Sequence, residues 1–298
     1  MASQHEFAHT IECIDEDLIL SADQIRSFQH LVREKGTELY RDLPWRNTRD
    51  PYEIWISEVM LQQTQVHCVL GRWEHFMERF PTIDALASAA SVDVVEEWQG
   101  MGYNRRALAL LKAAQICSEK YHGKMPDTYE ELLALPGIGP STAAGICTFS
   151  SDTPVLYIET NVRAVILHHF FTGEEKVSDK RIRMIAQQVC PSTEVRAWYY
   201  ALLDYGAYLK KHTVNPTRRA QAYTKQSAFE GSRRQKRAWI VREVMARPGI
   251  SADQLLDSLN KNEKKAGRET VEVQEFENIM QALLKEGFFT ESNKKFTA

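Results

Sequence analysis

Apolar residues recur at three- and four-residue steps along most of this chain, a period that puts them on one face of a helix. The pattern is clear in IRSFQHLVREKGTELYRDL, in EIWISEVMLQQTQVHCVLGRWEHFMERF, in RRALALLKAAQICSEKYHG, and from RIRMIAQQVC through YYALLDYGAYLKK. Pro, Gly and Asn punctuate these runs. Alternating strand patterns are absent, and only Thr153-Pro154-Val155-Leu156-Tyr157-Ile158 looks strand-like. The expected fold class is therefore all-α. Trp45, Trp55, Trp73, Trp98, Trp198 and Trp239 are expected in its core.

The 298 residues are 43% hydrophobic and 26% charged with a formal net charge of -3, the profile of a folded protein. No apolar run approaches the roughly 18–20 residues of a membrane-spanning helix. The N-terminal stretch MASQHEFAHTIECIDEDLIL carries acids where a signal peptide carries bases. Both features point away from the membrane and toward a cytoplasmic location. Cys13, Cys68, Cys117, Cys147 and Cys190 lie far apart and form no C-x-x-C pair, so a thiolate zinc site or an ordinary iron–sulfur cluster is not expected. His168-His169 has no third ligand at metal spacing, and no metal site is expected.

Charge is uneven. Between Ala207 and Arg247 lie Lys210, Lys211, Arg218, Arg219, Lys225, Arg233, Arg234, Lys236, Arg237, Arg242 and Arg247, against only Glu230 and Glu243. A block of this kind suits a polyanion, and equally a solvated basic helix face. After Gly231 the pattern tightens into two short helices, a third amphipathic helix and a terminal hairpin with Asn293 at its turn, with Lys261–Arg268 as a loop between the second and third helices. That order fits a winged-helix module, with a small helical bundle as the alternative.

Three local features carry chemistry. Leu135-Pro136-Gly137-Ile138-Gly139-Pro140-Ser141-Thr142-Ala143 lies between two helical runs. Gly137 and Gly139 allow a tight turn, and the amides that open the next helix form a site for a phosphate. The second feature is PYEIWISEVMLQQTQV, where Glu58 is the only charged residue from Ile54 to Val66. On a half-buried helix its carboxyl would be desolvated and so readied to donate a proton near neutral pH. Glu58, Gln62 and Gln65 would share a helix face. A solvent-facing Glu fits the same spacing. The third feature is Glu159, which leaves an apolar run directly before a helix that Thr160 or Asn161 could cap. Glu159 fits either the helix dipole or the second carboxylate that glycosidic-bond hydrolysis commonly uses.

These features, in this order, resemble the helix-hairpin-helix (HhH-GPD) superfamily of DNA base-excision glycosylases, and within it the MutY-type adenine glycosylases. The likeness runs from Leu43-Pro44-Trp45-Arg46 through about Lys211 and includes Trp98-Gln99-Gly100-Met101-Gly102-Tyr103 and ETNVRAV. The resemblance implies a six-helix barrel with a second helical domain. The expected boundaries are 1–48 for an N-terminal helix packed on the second domain, 49–158 for the barrel with its hairpin, 159–230 for the second domain and 231–298 for the winged-helix-like module. It also implies an enzyme that flips a base out of double-stranded DNA and cuts its N-glycosidic bond. The base is expected to be adenine mispaired with guanine or 8-oxoguanine.

By position in the motifs, Glu58 would be the general acid. Glu159, Tyr103, Ser141 and Asn161 would face the sugar, Arg46 would line the base pocket, and Gln63 would enter the stack beside Gln62. Gly137, Gly139 and Thr142 of the hairpin, with Arg218, Arg219, Lys225, Arg233 and Arg234, would hold DNA. Ser141 stands where strand-cleaving members carry a lysine, so a monofunctional enzyme is implied.

Three departures qualify the likeness. Glu159 replaces the family's aspartate. The cysteine ligands expected after Tyr208-Leu209-Lys210-Lys211 are missing, so no iron–sulfur cluster or other cofactor is expected. The C-terminal segment does not look like a β-rich domain for 8-oxoguanine. Excision of thymine, uracil or a modified pyrimidine opposite guanine is thus an alternative, as is a non-catalytic protein that binds damaged DNA. The expected protein is a nucleoid-associated monomer.

Overall fold

A computed structural model describes residues 18–225 and 228–298. Cys13 and most of the N-terminal stretch weighed for a signal lie outside the described residues. In chain order the helices are α1 (Ala22–Glu38), α2 (Pro51–Leu61), α3 (Val66–Val69), α4 (Arg72–Arg79), α5 (Ile83–Ala87), α6 (Ser91–Glu97), α7 (Arg105–Tyr121), α8 (Tyr129–Leu133), α9 (Pro140–Ser151), α10 (Thr160–Phe170), α11 (Asp179–Val189), α12 (Val195–His212), α13 (Arg233–Ala246), α14 (Ala252–Lys265) and α15 (Val273–Glu286). Three short strands, β1 (Ile250–Ser251), β2 (Thr290–Ser292) and β3 (Lys295–Thr297), complete them. No helix among the described residues is long and apolar enough to cross a membrane. All six tryptophans are buried, as their apolar settings predict.

The chain divides into two compact units that interleave along the sequence. One takes the described residues through Glu58 together with Asp127–Leu133 and Ile138–Lys225; the other takes Val59–Pro126, Ala134–Gly137 and the described residues from 228 onward.

In the first unit, α12 is the central post against which α1 and α10 pack. Small residues set the spacing. A Cβ on Gly36 would overlap the Ala201 Cβ, and one on Gly206 would overlap the backbone of Asn161, so α1 and α10 approach α12 at near-backbone distance. Phe28 fills the space between, edge-on to Phe170 at 4.8 Å and to Trp198 at 6.0 Å. His169 is buried in this core with its ring nitrogen 2.9 Å from the Tyr205 hydroxyl, and burial pushes its pKa down to about 3.

The strand-like segment 153–158 joins no sheet. Side chains satisfy its backbone instead: the Tyr157 amide donates to the Tyr199 hydroxyl at 3.0 Å, and the Ile158 carbonyl accepts from Ser141 Oγ at 2.8 Å.

In the second unit, the run read as one long helical pattern from Glu53 to Phe80 is interrupted. Helix α2 stops at Leu61, and Gln63 adopts a left-handed φ of 53°. Arg106 is the cause. Its Nη1 donates to the carbonyls of Val59 (2.7 Å), Met60 (3.1 Å) and Gln62 (2.7 Å), and its Nη2 donates to Thr64 Oγ1 (3.0 Å). One guanidinium thus satisfies the carbonyls that a continuing helix would have bonded. The proposed shared face of Glu58, Gln62 and Gln65 therefore does not form, because Gln62 leaves the helix and Gln65 precedes α3.

The C-terminal module runs helix, strand, helix, helix, hairpin, with strand order β1-β3-β2 and Asn293 and Lys294 at left-handed φ in the hairpin turn. That is the winged-helix order. Ile240, Val244, Leu255, Leu259, Phe276, Ile279 and Leu283 form its core, with Phe289 against Phe296 at 5.5 Å. The segment read as a loop from Lys261 is helical through Lys265, since Glu263 turns inward and its carboxylate accepts from Arg268 Nε at 2.7 Å and Nη2 at 2.9 Å.

Candidate active site

The neutral run around Glu58 does what its composition predicts: Ile54, Trp55, Ile56, Val59 and Met60 are all buried. Helix α9 lies close enough that only glycine fits at 145, where a Cβ would overlap the Glu58 carboxyl and stand 3.1 Å from the Tyr157 ring. The Tyr157 hydroxyl donates to the Glu58 carboxyl. Burial, as the larger cause, and the facing charge of Glu159 push the Glu58 pKa up to about 8 despite that hydrogen bond.

Glu159 is itself the N-cap of α10. Its Oε1 accepts from the amides of Asn161 (2.5 Å) and Val162 (3.1 Å), so the capping assigned by sequence to Thr160 or Asn161 belongs to the carboxylate. The arm, one methylene longer than the aspartate it replaces, reaches back to its own helix. Burial raises its pKa, while Lys210 and the amides of Val162, Asn161 and Thr160 oppose that rise.

The two carboxyls are therefore unequal. Glu58 has one hydroxyl partner, whereas Glu159 has a cation and a helix terminus. Two desolvated carboxyls within electrostatic reach of each other hold one proton more readily than none or two. Both pKa values are raised by desolvation, and the Lys210 charge and the helix amides favour ionisation at Glu159 over Glu58.

Helix α10 supplies a further group beside Glu159. Asn161 Oδ1 is buried with no hydrogen-bond partner, an unsatisfied acceptor beside Glu159. Ser141, at the start of α9, anchors the segment that carries Glu159 through its bond to the Ile158 carbonyl. The N-terminus of α9 has no side-chain cap, as a phosphate site requires. Of the hairpin glycines, Gly137 needs its freedom, with φ +78° and a would-be Cβ 2.8 Å from the Ala109 Cβ. Gly139 does not, since its φ of -94° is open to any residue and nothing lies within 4 Å of a Cβ there. Thr142 is buried in α9.

Arg46 is buried. It forks onto Asp204 of α12, with Nη1 to Oδ2 at 2.7 Å and Nη2 to Oδ1 at 2.8 Å. Its guanidinium carbon sits 4.4 Å from the centroid of Tyr200, and Arg41 Nε adds a bond to Asp204 Oδ1 at 2.5 Å. Arg46, Tyr40 and Tyr200 also line a cleft of about 740 Å³. Sequence reasoning missed Asp204, although it is the lone charge in ALLDYGAYL, the same signal that marked Glu58. It missed Tyr157 because an aromatic in an apolar run reads as core.

In the second unit Gln62 is half-buried in the turn that ends α2, and Gln63 is exposed at its tip. Tyr103 sits at φ 49°, and its hydroxyl accepts from Arg234 Nη1 at 2.6 Å. The basic block is thinner than its composition suggests. Arg219 donates to the Phe171 carbonyl at 2.8 Å, Lys236 pairs with Glu275 at 2.8 Å, and Arg237 pairs with Glu286 at 2.5 Å. Arg218, Lys225 and Arg233 are exposed, with an Arg233 bond to the Asn278 carbonyl at 3.2 Å.

The raised Glu58 pKa makes stability depend on pH. A carboxyl held protonated to about pH 8 in the folded chain, but ionising near 4.5 when unfolded, leaves the folded state with more bound protons between those values. Stability is then lost as pH rises from about 4.5 to 8. Glu58→Gln removes that loss, and the variant is expected to be more stable than the parent by roughly 1–3 kcal/mol at pH 8, with little difference at pH 4.5. Thermal unfolding of both chains across that range checks this; a gap that does not widen with pH contradicts it.

The family description "HhH-GPD superfamily base excision DNA repair protein" matches residues 56–192. The chain is 34% identical over 170 residues to an adenine DNA glycosylase of Buchnera aphidicola subsp. Baizongia pistaciae, covering 57% of this chain and 48% of that protein. It is 36% identical over 169 residues to an adenine DNA glycosylase of Mycolicibacterium smegmatis, covering 56% and 58%. The chain thus spans about half the length of the curated relatives it matches. Among solved structures, a thermostable thymine-DNA glycosylase superposes with a TM-score of 0.57 at 23% identity, over 62% of this chain and 87% of that one, which is a likeness of fold.

Proposed function

We propose that this protein, whose residues 56–192 match the HhH-GPD superfamily of base excision DNA repair proteins, is a monofunctional DNA N-glycosylase that removes mispaired adenine opposite guanine or 8-oxoguanine. The observation that carries the reading is the unequal pair of half-buried carboxyls, Glu58 with its pKa raised by desolvation and one hydroxyl partner, and Glu159 held by the amides that open α10. Its curated relatives act on the same base by name.

In the proposed reaction Glu58 protonates the departing adenine as its bond to C1′ breaks. Glu159 stabilises the oxocarbenium-like sugar. A water held by Asn161 Oδ1 adds to C1′ and returns a proton to the carboxyl pair, which restores its single-proton state. The reading needs no metal and no iron–sulfur cluster: Lys210 and Lys211 close α12, and no cysteine follows Cys190. The protein is read as a monomer acting on nucleoid DNA.

Single-turnover assays on labelled duplexes test the substrate. Alkali-dependent strand breaks are expected at adenine in A:G and A:8-oxoguanine duplexes and absent from matched controls. Breaks confined to T:G or U:G duplexes would assign the pyrimidine substrate that the change to Glu159 allows. No breaks in any duplex would leave a damaged-DNA-binding protein.

Duplex affinity is expected to rest on phosphate contacts by the exposed cations and the uncapped α9 N-terminus. With so many of the basic residues already paired, roughly four such contacts remain, so affinity should weaken on the order of a hundredfold between 50 and 200 mM salt. A change of less than about threefold, measured by fluorescence anisotropy, contradicts this.

A further inference from the structure

Glu159 is surrounded by groups of opposite effect. Glu58 of α2 and the Tyr157 hydroxyl lie within electrostatic reach of it, and the amides of Asn161 and Val162 at the start of α10 donate to its carboxylate. The remaining charged group comes from α12. Gly206 lets α12 approach so closely that its Cβ position overlaps the backbone of Asn161, two residues beyond Glu159. Lys210 follows Gly206 by four residues and therefore lies on the same face one turn further on. That turn brings the charge of half-buried Lys210 to bear on Glu159, whose attraction opposes, without cancelling, the fall in the Lys210 pKa that desolvation, and to a lesser degree Arg41, causes.

We propose that Lys210 is a positioning residue of the reaction, one that decides which of two carboxyls, Glu58 or Glu159, keeps their shared proton. The inference rests on the glycosylase reading above. Both carboxyls are desolvated, so each alone favours its neutral form, and the pair can carry its proton in either of two places. Only the arrangement with the proton on Glu58 has both an acid for the base and an anion for the sugar. The helix amides favour that arrangement, and Lys210 adds a full charge to them. Arg41 opposes the Lys210 charge but is engaged with Asp204, and Lys210 is the cation whose charge acts through space on Glu159.

The test uses the full chain with Lys210→Met and Lys210→Arg. Carbon-13 NMR of the Glu159 carboxyl is expected to show its midpoint moving up by about 1 pH unit in Lys210→Met. The acid limb of the single-turnover excision profile should move up by the same amount, so that at any pH on that limb the rate falls about tenfold. Lys210→Arg should return both toward the parent. A merely structural role would lower the thermal midpoint without moving either limb. If Lys210→Met does not fold, Lys210→Gln carries the same expectation with a polar end on a similar stem. An unmoved Glu159 midpoint in a folded variant overturns the proposal. A moved midpoint in a chain that excises no base at all refutes the glycosylase reading instead.

Discussion

Glu58→Gln is expected to abolish base excision, by at least about 10³-fold in single-turnover rate, while duplex affinity stays within about threefold of the parent. The substitution keeps the shape of the side chain and the contacts with Gly145 and Tyr157, and it removes only the proton that Glu58 holds up to about pH 8. An amide cannot protonate a departing purine at any pH. The loss should therefore be equal at pH 5 and pH 8 relative to each parent rate, and it should accompany the gain in stability described above. Excision retained within tenfold would show that Glu58 is a buried residue of the core and not the acid.

The second large effect is expected at Asp204. This carboxylate is 3% exposed and accepts from both terminal nitrogens of Arg46 and from the Nε and amide of Arg41. Asp204→Ala leaves Arg46, itself 6% exposed, as a buried charge without its anion. Removal of one partner from a buried pair costs about 3–5 kcal/mol, a large part of the stability of an ordinary domain. Urea unfolding should show that loss. Replacing Arg46 as well, with Met, should recover a substantial fraction, because the stranded charge is then gone. A cost below about 1 kcal/mol for Asp204→Ala would mean that water reaches Arg46 and that the pair is not a structural post.

The features legible in the sequence were those set by neighbours in the chain. The winged-helix module announced itself through its apolar period and its turn residues, because each helix there buries a stripe written in its own sequence. Glu58 was legible as a lone charge in a neutral run. The same rule would have found Asp204, but the surrounding aromatics of α12 drew the reading toward a plain core helix.

The residues that stayed hidden act across distance. Helix α2 ends at Leu61 because Arg106, more than forty residues on, takes its last carbonyls, and no local signal in LQQTQV records that. Tyr157 gains its role only when α9 presents Gly145 to Glu58. Lys210 looked like one base among many in a block suited to DNA, and its relation to Glu159 exists only because Gly206 lets two helices touch. Arg219, Lys236 and Arg237 likewise read as open cations until their protein partners are seen.

The measurement that tests the central claim most directly is the pH profile of single-turnover adenine excision from an A:8-oxoguanine duplex by the intact chain. One shared proton, held on Glu58, requires the rate to fall tenfold per pH unit above a midpoint near 8. A rate that stays level through pH 9.5 would contradict the assignment of Glu58 as the acid, and with it the account of how the two carboxyls divide the work.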